Sequence, residues 1–170
     1  MARLDLATRQ HPDLQTVDLL MMDRAIQLAR AAGQSDEIPV GAVIYRGHEI
    51  IAEASNNREA TKDPTGHAEM VALRKAGERL DGWRLSRCSM AVTLEPCPMC
   101  AGALVNARLD RLVYGAFDQK AGACRTLYEI PGDDRLNHRV QMIGGVFEDR
   151  CATLLREFFR RRRAERRRTA

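Results

Sequence analysis

Residues 88–116, CSMAVTLEPCPMCAGALVNARLDRLVYGA, carry the clearest structural pattern in the sequence. The apolar run Cys88–Leu94 predicts a buried strand, which the turn residues Glu95-Pro96 end. The pattern of Cys97–Ala107 predicts a helix, and Leu112–Ala116 predicts a second strand. A strand, a helix and a strand in this order make a parallel pair, which is the building unit of α/β folds.

The sequence on either side adds further elements to this unit. Apolar spacing predicts, in chain order, a helix over Thr16–Ala32, strands over Pro39–Tyr45 and Glu49–Ala54, a helix over His67–Arg79, a strand over Arg139–Ile143, and a last helix that carries Phe147 to Phe158 and runs into arginines. Residues 55–66 have the composition of a loop, and residues 117–138 show little pattern. The first two strands are close enough for a hairpin, so we expect an α/β layered domain with a mixed sheet.

Length and charge predict one domain with a basic end. A chain of 170 residues has the usual size of a single domain, and its 45% apolar content is that of a globular protein. Residues 156–170 hold eight arginines and two glutamates, a charge of +6, so the other 155 residues sum to −2. We expect a lead-in over 1–15, one domain over 16–159 and an arginine-rich tail over 160–170, with a polyanion such as nucleic acid as partner.

The same counts exclude several classes of protein. No apolar run approaches the roughly 20 residues of a membrane-spanning helix, and charged residues interrupt the first 25 positions, which argues against a signal peptide. Five cysteines, an odd number, argue against a framework of disulfides. We therefore expect a cytoplasmic protein without a membrane partner, whose cysteines are metal ligands, catalytic groups or small buried hydrophobes.

The first of two chemically distinctive motifs is Glu95-Pro96-Cys97-Pro98-Met99-Cys100. It places two cysteines three residues apart in the first turn of a predicted helix, where their side chains face the same way. The N-terminus of a helix stabilises thiolates, and a proline is tolerated there because its missing N–H has no partner in the helix. Two thiolates aimed at one point suit Zn²⁺.

The second motif, Pro64-Thr65-Gly66-His67-Ala68-Glu69, supplies what the cysteines lack. His67 lies at another junction of loop and helix, and a strand between the two helices brings both helix N-termini to one edge of the sheet. Three protein ligands leave the fourth tetrahedral position to water, which is the pattern of a catalytic zinc site. Glu69 is placed to take the proton of that water without ligating the metal.

Each piece has a simpler interpretation when it is taken alone. A lone Cys-x-x-Cys is also typical of a redox pair or of half a structural zinc knuckle, and a lone histidine or glutamate is usually packed or solvated. The four residues together, in this order, favour the catalytic site. Nothing at ligand spacing accompanies the remaining cysteines and histidines, which are interpreted as structural: Cys88, Cys124, Cys151, His11, His48 and His138.

Together the motifs form the His-x-Glu…Pro-Cys-x-x-Cys signature of the zinc-dependent nucleobase deaminases. Within that superfamily the chain resembles the bacterial tRNA-specific adenosine deaminases, the TadA type, over residues 17–163. Beyond the two motifs, the supporting stretches are Ile38–Val43, Thr93–Leu94, Ala101–Ala103, Val113–Ala116, Asn137–Val140 and Phe158-Phe159 with the arginines that follow. The resemblance implies the cytidine deaminase-like fold, a three-layer α-β-α sandwich in which helices flank a mixed sheet of about five strands.

The resemblance also implies a reaction. His67, Cys97 and Cys100 would hold one Zn²⁺ per subunit, whose hydroxide attacks C6 of adenine while Glu69 shuttles the protons. The product would be inosine at the wobble position, the first anticodon position, of tRNA. The family is homodimeric and builds its RNA site across the subunit interface, so a homodimer bound to a tRNA anticodon stem-loop is expected.

Two further residues match family positions that contact substrate. Asn56, eleven residues before His67, matches the asparagine that hydrogen-bonds the base, although its neighbour Asn57 fits with a shift of one residue. Asp118 matches an acidic position near the bound anticodon nucleotides. Gly66 departs from the family, which more often has alanine before the histidine.

Two other functions fit parts of the sequence. A guanine or cytosine/cytidine-type deaminase that acts on free bases or nucleosides would share the zinc chemistry but would have little need of a basic tail. A zinc-stabilised RNA-binding module without activity would not need Glu69, and it would need a fourth protein ligand, for which the sequence offers no candidate.

Overall fold

The computed structural model describes residues 13–169, and a five-stranded sheet forms its centre. The strands are β1 (Gly41–Arg46), β2 (Glu49–Ser55), β3 (Ser89–Leu94), β4 (Arg111–Ala116) and β5 (Gln141–Gly144). The helices are α1 (Thr16–Gln34), the single turn α2 (Arg58–Thr61), α3 (Ala68–Arg79), α4 (Pro98–Asn106) and α5 (Glu148–Thr169), with a 3₁₀ turn at Ile130–Gly132. Residues 1–12 of the predicted lead-in, with His11 among them, lie outside the described residues.

The order of the strands brings four carboxyl ends to one edge. The sheet runs β2-β1-β3-β4-β5; β1 is antiparallel to both β2 and β3, whereas β3, β4 and β5 are parallel. Strands β2 to β5 therefore all point the same way, and the segments that follow β2, β3 and β4 meet at a common edge. Open α/β sheets bind their ligands at this edge. The predicted mixed sheet of about five strands is confirmed.

Helices cover both faces of the sheet and complete three layers. Helices α1 and α5 pack on one face around Val43, Tyr45 and Val113, while α3 and α4 pack on the other around Ile44 and Leu112. Neighbouring residues of one strand enter opposite cores because successive side chains of a strand point to opposite faces. The strand–helix–strand unit of β3, α4 and β4 has the predicted register, with Met90 opposite Leu112. The predicted three-layer α-β-α sandwich is confirmed.

The edge of the sheet opposite the carboxyl ends is closed by a buried ionic cluster. Arg111 Nη2 lies 2.6 Å from Asp18 Oδ2, and the Tyr45 hydroxyl donates a hydrogen bond to Asp18 Oδ1. The Asp18 and Tyr45 side chains are almost completely buried. These contacts join α1 to β1 and β4, and they pair the buried charges of Asp18 and Arg111 with each other.

Helix α5 continues without a break across the predicted boundary at residue 160 and reaches Thr169. Arginine is a good helix former, and Arg161 pairs with Glu165 one turn on. Arg161 also donates to the carbonyl oxygen of Gly33 and pairs with Asp36, which ties this part of α5 to the end of α1. None of the described helices is both long and apolar enough to cross a membrane.

Candidate active site

The candidate site lies at the edge where β2, β3 and β4 end. Asn56 directly follows β2, Glu95 follows β3, and Phe117 follows β4. All three residues line one pocket of about 440 Å³, together with His67 and other residues. Since the four parallel-pointing strands deliver their carboxyl ends here, residues far apart in the sequence become neighbours. The remaining residues that line this pocket are Ile38, Val40, Arg58, Glu69, Leu94, Cys97, Asp118, Gln119, Lys120, Ala121, Leu155 and Phe159.

The predicted metal ligands lie at the N-termini of two helices. His67 is the N-cap residue of α3 and Cys97 is the N-cap residue of α4, and both have extended backbone angles. Pro98 occupies the first turn of α4, and Cys100 follows within the same turn. The strand β3 and its turn therefore carry the cysteines to the histidine, as the sequence predicts.

The geometry of this cluster fits a tetrahedral metal ion. Nδ1 of His67 lies 3.6 Å from Sγ of Cys97 and 3.6 Å from Sγ of Cys100. The two sulfurs are equally distant from Nδ1, which is the arrangement expected of three ligands around one shared centre. With Zn–N near 2.0 Å and Zn–S near 2.3 Å, a tetrahedron has an N···S edge of about 3.6 Å. Among the described residues these three form the group that can hold a metal ion.

The hydrogen bond between Cys97 and Cys100 shifts the pKa values of the two thiols in opposite directions. A hydrogen bond from the Cys100 thiol lowers the pKa of Cys97 to about 4, and His67 adds to that effect. The same bond and burial raise the pKa of Cys100, so that it retains its proton. The hydrogen bond with Cys97 also raises the pKa of His67. A divalent cation would displace these protons, because thiolates and neutral imidazole are the ligand forms.

Glu69 lies beside the ligands, in the first turn of α3. Its side chain is buried, with 4% of its surface exposed, and it lines the pocket. Burial raises the pKa of Glu69, against the opposing effects of its own backbone N–H and of His67. A buried carboxyl whose charged form is disfavoured, next to three residues that could hold a metal ion, is the expected setting of a general base that must also act as an acid.

The turn before His67 is shaped by short-range hydrogen bonds. Asp63 Oδ1 accepts from the backbone N–H and the hydroxyl of Thr65 at 2.8 and 2.7 Å, and these bonds lower the pKa of Asp63. A Cβ at Gly66 would lie 2.6 Å from Oδ1 of Asn57 and 3.0 Å from the backbone of Arg58. Gly66 departs from the family pattern, and the Asn57 side chain occupies the space that a Cβ at this position would need.

Of the two candidate asparagines, Asn56 is the one that lines the pocket. Its Oδ1 accepts a hydrogen bond of 2.8 Å from the backbone N–H of Ala68, at the start of α3. Because the oxygen is used in this way, the side-chain NH₂ is the group that can donate to a ring nitrogen or carbonyl of a base. Oδ1 of Asn57 is instead buried without a hydrogen-bond partner.

Asp118 also lines the pocket, but one oxygen of its carboxylate is hydrogen-bonded within its own loop. Oδ1 accepts from the backbone N–H groups of Lys120 and Ala121 at 2.9 and 3.2 Å. The second carboxylate oxygen is the part that a substrate could engage.

One residue at this site was missed at the sequence level. Glu95 is 1% exposed, and its carboxylate accepts backbone hydrogen bonds from Asp118, Cys124, Arg125 and Thr126. Burial alone would raise the pKa of Glu95, but the hydrogen bonds from Thr126 and from this loop lower it below the ordinary value. Its signal was a charged residue directly after a strand that is almost entirely buried.

The remaining cysteines lie outside the metal cluster. Cys88, Cys124 and Cys151 are buried and free, and burial raises the pKa of Cys124 and the pKa of Cys151. His138 Nε2 lies 2.6 Å from the carbonyl oxygen of Leu109, which gives it a structural contact.

Comparisons with known proteins agree with this geometry. The family model of the MafB19-like deaminases matches residues 18–163. A tRNA-specific adenosine deaminase of Bacillus subtilis is 44% identical over 145 residues, which is 85% of this chain and 90% of that protein. One from Haemophilus influenzae is 42% identical over 149 residues, which is 87% of this chain and 86% of that protein.

Solved structures extend the comparison to the fold. A structure from work on A-to-I editing by tRNA:A34 deaminases has a TM-score of 0.76 and 38% identity, and it covers 79% of this chain and 98% of its own. A guanine deaminase from Nitrosomonas europaea has a TM-score of 0.72 and 25% identity, with 82% and 83% covered. Both share the three-layer fold, but identity is higher to the tRNA enzyme. The chain therefore belongs to the MafB19-like deaminase family, and within it to the tRNA-specific adenosine deaminases.

Proposed function

We propose that this protein converts adenosine to inosine at the wobble position of a tRNA anticodon by hydrolytic deamination. The observation that carries the proposal is the group of His67, Cys97 and Cys100 with Glu69 buried beside it, at the floor of a pocket. This arrangement provides a metal site and a proton carrier in one place, on a chain that resembles tRNA-specific adenosine deaminases over most of its length.

One Zn²⁺ per subunit is the cofactor that fits the three ligands. One imidazole nitrogen and two thiolate sulfurs are ligands that suit Zn²⁺, and three protein ligands leave one position of its tetrahedron open. When it is bound there, Zn²⁺ supplies Lewis-acid activation of a water molecule, which becomes the nucleophile at neutral pH.

Glu69 moves the protons of the reaction. Its carboxylate takes a proton from the attacking water and delivers it to N1 of adenine, so that C6 becomes tetrahedral without a build-up of charge on the ring. The carboxylate then takes the remaining hydroxyl proton of the tetrahedral C6 and passes it to the exocyclic amino group; the C6–N bond breaks, ammonia leaves and the C6 carbonyl forms. The balance is adenosine and water to inosine and ammonia.

Asn56 orients the base, and the start of α4 polarises the reacting centre. The hydrogen bond from Ala68 fixes the Asn56 carboxamide against α3, so that its NH₂ is held ready for an acceptor on the purine. The free N–H groups at the start of α4 and its dipole favour negative charge that develops near Cys97. We also propose that Asp118 contacts the nucleotides beside the target through the part of its carboxylate that its loop leaves unused.

The surroundings of the pocket favour RNA over a free base. Phe159 and Leu155 of α5 line the pocket, and a neighbouring groove contains Arg58, Arg162, Arg163 and Arg166. Arginines beside a pocket grip phosphates, and an exposed loop nucleotide can be turned into the pocket without breaking a duplex. A free base would gain nothing from these charges.

The contribution of the arginines to RNA binding can be measured from the salt dependence of the affinity. Replacing Arg162 and Arg163 together with glutamine is expected to weaken binding of an anticodon stem-loop and to lower the slope of log affinity against log salt by about 1.5. The matched control replaces Arg46 and Arg87, which lie at the opposite edge of the sheet, and should leave the slope unchanged. Removing the chain after Phe159 should have the larger effect, and an unchanged salt dependence in both variants would contradict the proposal.

We further propose that the protein acts as a homodimer in the cytoplasm. An apolar groove between α3 and α4 contains Met70, Leu73 and Ala103, and Trp83 at its rim is 60% exposed. A second copy of the chain is the occupant that the resemblance implies. All five cysteines are free within a chain that uses thiols as ligands, which suits a reducing compartment.

The dimer proposal is tested by sedimentation equilibrium. The chain is expected to sediment at twice its 19.1 kDa mass, and a charge placed in the groove, as in Ala103→Glu, should shift it to the monomer. A charge placed outside the groove, as in Lys75→Glu on the outer face of α3, serves as control. A monomeric parent chain would contradict this part of the proposal.

The experiment that tests the function is a product assay. Purified protein with measured zinc content is incubated with an anticodon stem-loop RNA that carries adenosine at the wobble position. Free guanine and cytidine are tested in parallel, each for the mass change from amine to carbonyl. Inosine in the stem-loop alone is the expected result. Deamination of a free base alone would show that the same zinc chemistry acts on a free base instead of tRNA. No reaction with zinc present would favour an RNA-binding module.

A further inference from the structure

Glu95 is a buried carboxylate that the deamination mechanism does not use. Its Oε1 accepts three backbone N–H groups, from Cys124, Arg125 and Thr126, at 3.1, 2.7 and 2.9 Å. Its Oε2 accepts the backbone N–H of Asp118 at 3.1 Å and the hydroxyl of Thr126. Five donors on one carboxylate satisfy a buried charge that would otherwise be very unfavourable.

All five donors belong to one loop. Residues 117–129 contain neither strand nor helix, and turn hydrogen bonds such as that from Gly122 N to the Asp118 carbonyl oxygen pair only part of their backbone. Glu95 binds this loop at Asp118 and again at residues 124–126, which closes the segment between them. The loop fits closely around the carboxylate, because a Cβ at Gly122 would lie 2.5 Å from Cδ of Glu95.

The closed segment is a wall of the pocket. Residues 117–121 line it, from Phe117 and Asp118 to Ala121, opposite the start of α3. Glu95 also precedes Pro96 and Cys97, and the carbonyl oxygen of Pro96 accepts the N–H of Ala123 at 2.9 Å. Residues 95–97, which include the candidate metal ligand Cys97, therefore also hold the wall formed by residues 117–121.

We propose that Glu95 is a positioning residue for substrate: it sets the distance between the metal ligands and the wall 117–121 that contacts the target nucleotide. The inference rests on the proposed function, since it assigns that wall to the RNA. Glu95 acts through the loop and touches neither the metal nor the reacting atoms. Loosening the loop should therefore weaken substrate binding more than it slows the chemical step.

The test uses Glu95→Gln in the full-length, zinc-loaded protein. The variant keeps the shape but turns one acceptor oxygen into an NH₂ group, which then faces the N–H donors of the loop. We expect KM for the anticodon stem-loop to rise about tenfold, the low end for hydrogen bonds to a charged group, while kcat falls less than about threefold. Zinc content should stay at one per chain. Amide hydrogen exchange over residues 118–126 should quicken about tenfold, with α3 and α4 unchanged.

Tyr45→Phe is the matched control for a structural effect. It removes one buried hydrogen bond to a carboxylate, that of Asp18, at the opposite edge of the sheet. It should lower the melting temperature without changing KM. If Glu95→Gln does not fold, Thr126→Val removes a single donor and should raise KM by about two- to threefold, whereas Thr126→Ser keeps the hydroxyl and should match the parent.

The outcomes separate this inference from the proposed function. A parent protein that does not deaminate the stem-loop contradicts the proposed function, and the exchange measurement then decides on Glu95 alone. Unchanged exchange over residues 118–126 overturns the inference. Faster exchange with an unchanged KM also overturns it, because the loop is then held by Glu95 without serving the substrate.

Discussion

Two buried glutamates flank the metal ligands, and they are held in opposite ways. Glu69 follows His67 and has its own backbone N–H and the Cys100 thiol as hydrogen-bond partners. Glu95 precedes Cys97 and is surrounded by four backbone N–H groups and a hydroxyl. Burial raises the pKa of Glu69, whereas the loop donors lower the pKa of Glu95.

The difference shows that hydrogen-bond donors can reverse the effect of burial on a carboxylate: burial dominates at Glu69, and the donors dominate at Glu95. Four fixed donors stabilise only the charged form, so Glu95 is suited to hold backbone and unsuited to exchange protons. Glu69 has fewer donors and lines the pocket, which suits the proton transfer proposed for it. Two buried glutamates at the starts of two helices are therefore suited to different roles, proton transfer for Glu69 and holding a loop for Glu95.

The largest effect is expected from Glu69→Gln. The amide keeps the size of the side chain but cannot take up the proton of water, so deamination of the stem-loop should fall by about three orders of magnitude. Zinc content and the free energy of unfolding should stay near those of the parent, because no loop depends on this group. Rates are measured by inosine formation, and turnover close to that of the parent would remove Glu69 from its assigned role. The shorter Glu69→Ala should lose activity to a similar extent.

A smaller effect is expected from Gly122→Ala. The new Cβ would meet the Glu95 carboxyl and the carbonyl oxygen of Asp118, the latter at 2.6 Å, and neither can move because both are hydrogen-bonded. We expect a loss of about 2 kcal/mol of unfolding free energy in urea. The control is Gly82→Ala, where the nearest atom to the new Cβ is 3.9 Å away. Equal stability of the two variants would show that the loop is not pinned.

The smallest effect is expected from Gly66→Ala, at the entry to the helix that carries Glu69. Its Cβ would lie 2.6 Å from Oδ1 of Asn57, a buried oxygen without a hydrogen-bond partner, and 3.0 Å from the backbone of Arg58. We expect a loss of about 1 kcal/mol, and Asn57→Ala should restore the part that comes from the Asn57 contact in the double variant. A double-mutant cycle in urea measures this coupling, and additive effects would refute the steric explanation.

Much of the fold was predictable because its signals are local. The alternation of strands and helices around β3 and α4 follows from apolar periodicity, and Pro98 and the N-cap positions of His67 and Cys97 follow from rules for helix ends. The single turn α2 was missed because four residues have no periodicity to detect. The last helix was predicted to run into the arginines, and the structure shows that α5 continues through them to Thr169.

The group that could hold a metal ion was likewise predictable from its residues, whereas the residues that line the pocket were not. Spacing of three between cysteines and the position of a histidine before a helix are properties of the chain itself. The choice between Asn56 and Asn57 is not, because both precede the same turn; the pocket contains Asn56, while Asn57 packs against Gly66.

The sequence by itself determined the layered α/β fold and predicted the three candidate ligands and the adjacent glutamate, because hydrophobic period and ligand spacing are encoded over short distances. Only the tertiary structure decided that the ends of β2, β3 and β4 build a common pocket, and that Glu95 binds a loop some 30 residues further along the chain. The physical reason is that a carboxylate has no preferred partner in sequence. Its role is set by which donors the fold brings to it.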